Sequence, residues 1–210
     1  MSTKKRLVKI GFILVAAGLA IRIWGVNQSQ LVIPEQHASM TETVELDGDF
    51  IFDDQENTQG YSVCVEDAEI MDASEYLDRY GKAFWDASRI SGGPSGDVLV
   101  LTYNVANEGN DSGWLDMAML MAVGASKNTL YKVNGDLWEV SEPSLANSSA
   151  LVLEPDSTYT THIPFSLIEE PGLFKEMLDQ SQYRRRPILD KAFTLYVANA
   201  PTRRAIDIGL

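Results

Sequence analysis

Three methionines at alternate positions are the residues of this sequence most suggestive of metal chemistry. On a β-strand, Met117, Met119 and Met121 would line one face with their thioethers about 7 Å apart. Soft sulfur ligands of this kind select Cu(I). The other interpretation is a core stripe shared with Leu115 and Val123, in which methionine fills irregular gaps. We expect the core stripe and keep metal binding as the alternative.

The run Arg184-Arg185-Arg186 is the candidate binding cluster, because it stands against an acidic background. The chain holds 17 basic and 30 acidic residues, a net charge of −13. Five of the basic residues and none of the acids lie in the first 26 positions, so residues 27–210 carry −18. Such a surface repels nucleic-acid phosphates, which argues against nucleic-acid binding. The three arginines could bind anionic lipid or a polyanionic cell-wall polymer, or they could simply be a solvated loop or the charged end of a helix.

Neither the histidines nor the single cysteine forms a recognisable catalytic pattern. His37 and His162 are far apart in the sequence, and no Gly-x-Ser-x-Gly or His-x-x-x-His motif occurs. Cys64 has no histidine near it and no second cysteine with which to form a disulfide. The acids do not follow the twelve-residue calcium-loop pattern. We therefore predict a protein that is not an enzyme and uses no cofactor.

The N-terminus is typical of an export signal or a membrane anchor. Lys4-Lys5-Arg6 precedes a largely apolar stretch of 20 residues, 7–26, which as a helix would span about 30 Å. The positive flank would stay in the cytoplasm, which places residues 27–210 outside. Cleavage after Gly18-Leu19-Ala20 is the alternative, but it would leave an unusually short apolar region. We predict an uncleaved, single-pass anchor over residues 1–26 at the cell membrane.

Residues 98–107 form the clearest strand, around which the rest of the chain is expected to pack. Leu99, Leu101, Tyr103 and Val105 share one face, and smaller or polar residues share the other. This alternation predicts a central antiparallel strand with one buried face. Similar runs predict a strand at 43–52 that Asp47-Gly48 interrupts, and strands at 61–66, 115–123, 193–197 and 206–210. They also predict a hairpin of 130–133 with 138–140 around Asn134-Gly135, and a hairpin of 151–153 with 158–165.

Two short helices are predicted within the β-rich region. In residues 72–81, Asp72 can cap the helix, Glu75 can complete a capping box, and Gly81 can end it in the left-handed conformation. The second helix begins at Pro171 and has an apolar stripe. Together with eight or nine strands, these helices predict a mainly β fold, an immunoglobulin-like antiparallel β-sandwich over residues 43–210. Residues 27–42 are polar and are expected to be a tether.

Three stretches in order carry a resemblance to a known group of domains. They are residues 99–107 followed by a Gly/Asn turn, residues 153–165 with the pattern Leu-Glu-Pro-Asp-Ser…Ile-Pro-Phe, and residues 193–210. The chain resembles immunoglobulin-like extracytoplasmic domains of unknown function that follow a single membrane anchor in Gram-positive bacteria. Asp156 stands where those domains usually have glycine. The resemblance implies a fold and a location, and it transfers no catalytic residue.

The sequence thus predicts a membrane-anchored extracytoplasmic binding or assembly module with a protein or a cell-envelope polymer as its partner. The alternative is an extracytoplasmic metal-binding protein that uses Met117, Met119 and Met121. A hydrolase acting on the cell envelope is a third possibility. An unpaired edge strand would be a natural docking site for a partner chain.

Overall fold

A computed structural model of the chain describes residues 15–23, 33–81, 96–126, 129–145, 150–167 and 187–210. Residues 15–23 are helical. Within the described residues, no helix has both the length and the apolar character needed to cross a bilayer. The β domain begins at Pro34. The second predicted helix, which starts at Pro171, lies outside the described residues.

Nine of the eleven strands in the described part of the chain form one sheet, in the order β1-β11-β10-β6-β7-β9-β4-β3-β2. All neighbours are antiparallel except β1 and β11, which are parallel. The remaining two strands, β5 and β8, pair only with each other. The strands are β1 (Glu35–Ser39), β2 (Val44–Glu45), β3 (Tyr61–Asp72), β4 (Asp97–Asn107), β5 (Leu115–Asp116), β6 (Met121–Gly124), β7 (Leu130–Val133), β8 (Ala150–Leu151), β9 (Ser157–Leu167), β10 (Ala192–Ala198) and β11 (Arg203–Gly209).

The connection between β1 and β2 forces this sheet to curl until it is nearly closed. The two strands lie at opposite ends of the sheet, yet only residues 40–43 separate them. A flat sheet of nine strands would be about 38 Å wide, at about 4.8 Å per spacing. Five Cα-to-Cα steps from Ser39 to Val44 reach at most about 18 Å. The two ends therefore meet, and Thr41 N donates to Val65 O of β3 at 2.9 Å.

A largely buried arginine also ties the two ends of the sheet together. Arg204 of β11 donates to Gln36 of β1 at 3.2 Å, and to Asp47 and Asp49 in the loop after β2 at 3.1 and 2.5 Å. Asp49 is 4% exposed and also accepts a bond from the Thr202 backbone N–H at 2.8 Å. Removing one partner of such a pair would leave a poorly solvated charge, so these contacts depend on one another.

The interior of the curled sheet is the main hydrophobic core. Leu99, Leu101, Tyr103 and Val105 of β4 are at most 1% exposed, as the alternation predicted. They belong to one core cluster with inward residues of other strands, among them Val63, Val65, Ile163, Phe165, Leu195 and Ile206. The predicted central strand is confirmed, with β3 on one side and β9 on the other. The last two strands are confirmed as β10 and β11.

Two helices cover part of the outer face of the sheet. They are α1 (Ala73–Tyr80) and α2 (Gly135–Ser141). Their apolar residues form a second cluster with Val98 and Val100, which are each 1% exposed. The first half of β4 is therefore buried on both faces, whereas the sequence predicted a single buried face. Helix coverage, which the strand's own alternation does not reveal, is the reason for the difference.

The local signals around α1 are confirmed in part. The Asp72 carboxylate accepts a bond from the Ser74 backbone N–H at 2.8 Å and caps the helix as predicted. Glu75 pairs with Arg79 one turn later instead of completing a capping box. Gly81 ends the helix in an extended conformation, with φ −60°, so the predicted left-handed residue is wrong.

The hairpin predicted around Asn134-Gly135 is wrong, because this dipeptide begins a helix. The Asn134 side chain accepts a bond from the Leu137 backbone N–H at 3.2 Å and caps α2. Leu137, Trp138 and Val140 then face inward and are buried, which only helical spacing permits. Asparagine suits a helix cap and a two-residue turn equally well, so the dipeptide alone was ambiguous.

The other predicted hairpin, 151–153 with 158–165, is also wrong. β8 pairs with β5, while β9 lies between β4 and β7. Asp156, in the turn before β9, has a φ of +58°. Glycine adopts that conformation most readily, and aspartate is one of the few other residues that tolerate it. The interruption predicted at Asp47-Gly48 is confirmed, since both residues adopt positive φ. Of the strand expected over 43–52, only β2 forms.

Two predictions about domain organisation change with this architecture. β1 lies inside the stretch 27–42 that was expected to be a tether, so that part of the stretch belongs to the sheet. The mainly β, largely antiparallel domain is confirmed. The immunoglobulin-like sandwich is not confirmed, because the main strands form one nearly closed sheet and not two stacked sheets.

The cap of α2 can be tested by substitution at Asn134. Asn134→Ala removes the acceptor for Leu137 N and the donor to Ser166 Oγ, so it should lower the free energy of unfolding by about 1 to 2 kcal/mol. Asn134→Ser keeps a capping oxygen and should recover most of the loss. Urea denaturation of the full-length protein measures both. If serine were as harmful as alanine, the residue would be acting in a turn and not as a cap.

Candidate functional site

The arginine cluster predicted to bind anionic ligands, Arg184, Arg185 and Arg186, lies outside the described residues. Binding by these residues stays a prediction.

The three methionines do not share a face. A 3-10 helix, Met117–Met119, interrupts the strand that was predicted over residues 115–123. Met117 is 1% exposed and part of the core, whereas Met119 is 43% exposed. Met121 begins β6 and is only partly buried. The continuous methionine strand is therefore wrong, and copper binding stays a prediction without support from the placement of these side chains.

The cysteine and the second histidine occupy the outward faces of their strands. Cys64 lies opposite Asn104, and burial followed by the charge of Glu66 raises the pKa of its thiol. A thiol that ionises less readily is a poorer nucleophile, as expected for an inert cysteine. The His162 ring stacks on Tyr80, with centroids 4.1 Å apart and planes 19° apart. Among the described residues, no three or more His, Cys, Asp or Glu side chains are grouped to hold a metal ion.

The most distinctive surface feature is the place where the two ends of the nearly closed sheet meet without full strand pairing. The Thr41 backbone N–H donates to Val65 O of β3. β1, which precedes Thr41 in the chain, pairs with β11 and not with β3. β3 meanwhile continues to Asp72 and is paired there with β4. In the described part of the chain, no strand pairs with the outer edges of β1 and of residues 67–72. We call the gap between these two edges the seam.

Both edges of the seam present backbone hydrogen-bonding groups. Pro34 O and Met40 N bond to β11, so alternation turns the N–H and C=O groups of Glu35 and His37 toward the seam. On β3, a bulge between Val65 and Asp67 shifts the register by one residue. Beyond that bulge, the backbone N–H and C=O groups of Asp67 and Glu69 face β4. The backbone groups of Ala68 and Ile70 therefore face the seam.

The floor of the seam is apolar. Ala38 of β1, Met40 just after it, and Ala68 and Ile70 of β3 are only partly buried and pack against the interior core. Ala38 lies beside Ile206, and Ile70 lies beside Leu99, both on the inward face. These four side chains therefore form a partly exposed apolar surface between the two edges.

The rim of the seam is acidic. Its two sides, residues 35–42 and 66–72, contain no lysine or arginine and six acids: Glu35, Glu42, Glu66, Asp67, Glu69 and Asp72. Glu69 is paired with Arg79 at 2.7 Å, and Tyr80 OH donates to it at 3.1 Å. Glu66 and Asp67 are exposed and form no ion pair with any described residue. The seam thus combines open strand edges, an apolar floor and a negative rim.

His37 holds the β1 side of the seam to β11. Its Nε2 lies 2.9 Å from Glu35, and its Nδ1 lies 3.0 Å from Asp207. Both partners are carboxylates, so both ring nitrogens donate only when the imidazole is protonated. The hydrogen bond to Glu35, and then that to Asp207, raise the pKa of His37, although burial opposes the change. With both nitrogens engaged, the ring has no free atom to act as a general base.

The seam was not found from the sequence, although one signal was present. The apolar alternation Tyr61, Val63, Val65 resumes at Ala68 and Ile70, one position out of phase. A phase slip of this kind is the signature of a β-bulge inside a longer strand. The predicted strand ends at Glu66, whereas β3 continues to Asp72.

The comparisons with known proteins agree with the boundaries of the β domain. A family model described as a domain of unknown function (DUF5028) matches residues 35–204. No curated protein and no solved structure matches the chain. The matched region begins at the first residue of β1 and ends at the second residue of β11.

The bonds of His37 predict a pH-dependent contribution to stability. Because the pKa is raised in the folded state, the contribution is fully present below the unfolded value of about 6.5 and is lost as the pH rises through the folded value. His37→Gln should therefore lower the free energy of unfolding more at about pH 5.5 than at about pH 9. All three side chains are more than one third exposed, so the difference should be below about 1 kcal/mol.

Denaturation of wild type and His37→Gln across this pH range provides the test. A difference in stability that is the same at every pH would show that protonation of His37 does not stabilise the fold.

Proposed function

We propose, from the premise that this chain belongs to the DUF5028 family of unknown function, that it is a membrane-anchored extracytoplasmic module that binds an extended polypeptide segment in the seam and catalyses no reaction. The observation that carries the proposal is the pair of open strand edges over an apolar floor. An exposed edge is a template on which another chain can add a strand. In such complexes the main-chain hydrogen bonds supply affinity, and pockets for alternate side chains supply specificity.

The seam suits strand addition better than a single exposed edge does. A segment entering it can bond to His37 on one side and to Ala68 and Ile70 on the other. Alternate side chains of that segment would cover Ala38, Met40 and their neighbours on β3, which removes apolar surface from water. At about 3.3 Å per residue, five or six residues of partner chain would match the length of β1. The proposed partner is therefore a protein segment, and not a cell-envelope polymer.

The anchor rests on the N-terminal sequence. Lys4-Lys5-Arg6 precedes the apolar stretch 7–26, and the lone cysteine lies far from it, within β3. In the helical residues 15–23, Val15, Leu19 and Ile21 are each more than half exposed. Apolar side chains left exposed on a helix are suited to a lipid environment. With a positive flank on the cytoplasmic side, the β domain would lie outside the cell.

The open edges can be tested residue by residue through amide hydrogen exchange of the full-length protein. The amides of Ala68 and Ile70 face the seam and should exchange quickly. Those of Asp67 and Glu69 are bonded to β4 and should exchange slowly, so the same strand supplies its own control. Adding an eight-residue peptide of alternating threonine and valine should slow the exchange at Ala68, Ile70 and His37.

Two results would contradict the proposal. Equal, slow exchange at all four positions of β3 without peptide would mean that the edge is already covered. If peptide addition slowed amide exchange throughout the sheet, and not specifically at the seam, the peptide would be stabilising the whole fold and not adding a strand.

A further inference from the structure

We propose that the segment which binds the seam is basic, with lysine or arginine alternating with apolar residues. This inference rests on the proposed function, because it specifies the partner of the same site. It follows from the different chemistry of the two faces of the seam.

The inward face of a bound segment must be apolar. The strand alternation that turns Ala38 and Ile70 toward the core turns every second residue of an inserted strand the same way. Those residues would lie over the four floor side chains and against the interior core. A charged side chain there would lose its hydration without finding a partner. Apolar residues are therefore required at alternate positions.

The outward face of the segment meets the acidic rim. Glu35 on β1, and Asp67 and Glu69 on β3, have their side chains on the outer face of the sheet. Opposite charges on neighbouring strands favour pairing by about 1.5- to 5-fold in affinity for each pair. Three such pairs would amount to at most about 100-fold, and to less here, because Glu35 and Glu69 already have Arg203 at 3.6 Å and Arg79 at 2.7 Å beside them. Asp67 has no cation beside it among the described residues, so it gains most from a basic neighbour.

The same charges disfavour a second copy of this chain as the occupant. Residues 27–210 carry −18, and each copy would bring its own acidic rim to the contact. Like charges directly opposite each other on paired strands are destabilising. Charged edges are a common means by which proteins prevent pairing of identical strands. The rim therefore excludes self-association while attracting a basic segment, and the overall negative charge speeds its arrival.

The test compares three labelled eight-residue peptides on the full-length protein: alternating Lys-Val, Thr-Val and Glu-Val. Fluorescence anisotropy should give dissociation constants that rise in that order, with about 1.5- to 100-fold between the first two at low salt. Raising the salt concentration should reduce the differences between the three dissociation constants, because most acidic side chains of the rim are exposed and salt screens their charges.

A charge reversal on the rim tests whether its acids cause the difference in affinity between the peptides. Glu66→Lys/Asp67→Lys should weaken Lys-Val binding to the level of Thr-Val or below, and should strengthen Glu-Val binding. Glu108→Lys/Asp111→Lys is the matched control, since it changes the net charge equally at two exposed residues of the turn after β4. The control should leave the order of the three peptides unchanged. If the rim variant does not fold, the peptide series on wild type decides alone.

The outcomes separate this inference from the proposed function. Equal affinity for the three peptides overturns the basic partner and leaves strand addition intact. Equal weakening by both double variants shows general attraction to an acidic protein and overturns the assignment to the rim. If none of the three peptides binds, strand addition in the seam fails, and the basic partner fails with it.

Discussion

The four residues between β1 and β2 are the constraint on which the rest of this fold depends. They join strands at opposite ends of a nine-stranded sheet, and their short reach brings those ends together. Curling follows from that, and with it an interior large enough to bury Leu99, Leu101 and Tyr103. The twist that β-strands share by handedness favours the same curvature. Closure of the sheet and burial of the hydrophobic core therefore depend on each other.

The seam exists because backbone pairing between the two ends of the sheet stops at the bond from Thr41 N to Val65 O. Thr41 bonds to Val65, but the bulge at the next residue turns the edge of β3, while β1 is committed to β11. Arg204 and His37 fix that commitment through partners on β1, β11 and the loop after β2. A barrel closed by complete pairing would have no edges. This domain keeps two of them and surrounds them with acids.

The parts of this architecture that follow from local pattern were predictable, and those that depend on distant pairing were not. The alternation in residues 98–107 located β4 and its buried face, and the apolar periods near the C-terminus located β10 and β11. β1 was missed because Glu35–Ser39 has four exposed residues out of five and pairs with a strand 168 positions away. Asn134 fits a cap as well as a turn, so only the burial of Trp138 decides between them. The candidate arginines lie outside the described residues. The acids of the rim do not stand out in the sequence, because acids are frequent along the rest of the chain.

The parallel pairing of the first strand with the last has a consequence for the order of events during synthesis. β1 has no partner until β11 exists, since β1 pairs with no other strand in the described residues. A ribosome delivers the chain from the N-terminus, so nearly the whole domain must be made before its sheet can close. Contacts between residues this far apart in sequence slow folding, because a large loop is ordered before the contact rewards it. Until β11 has been made the sheet cannot close, so the apolar residues of its future interior are not yet covered by the C-terminal strand.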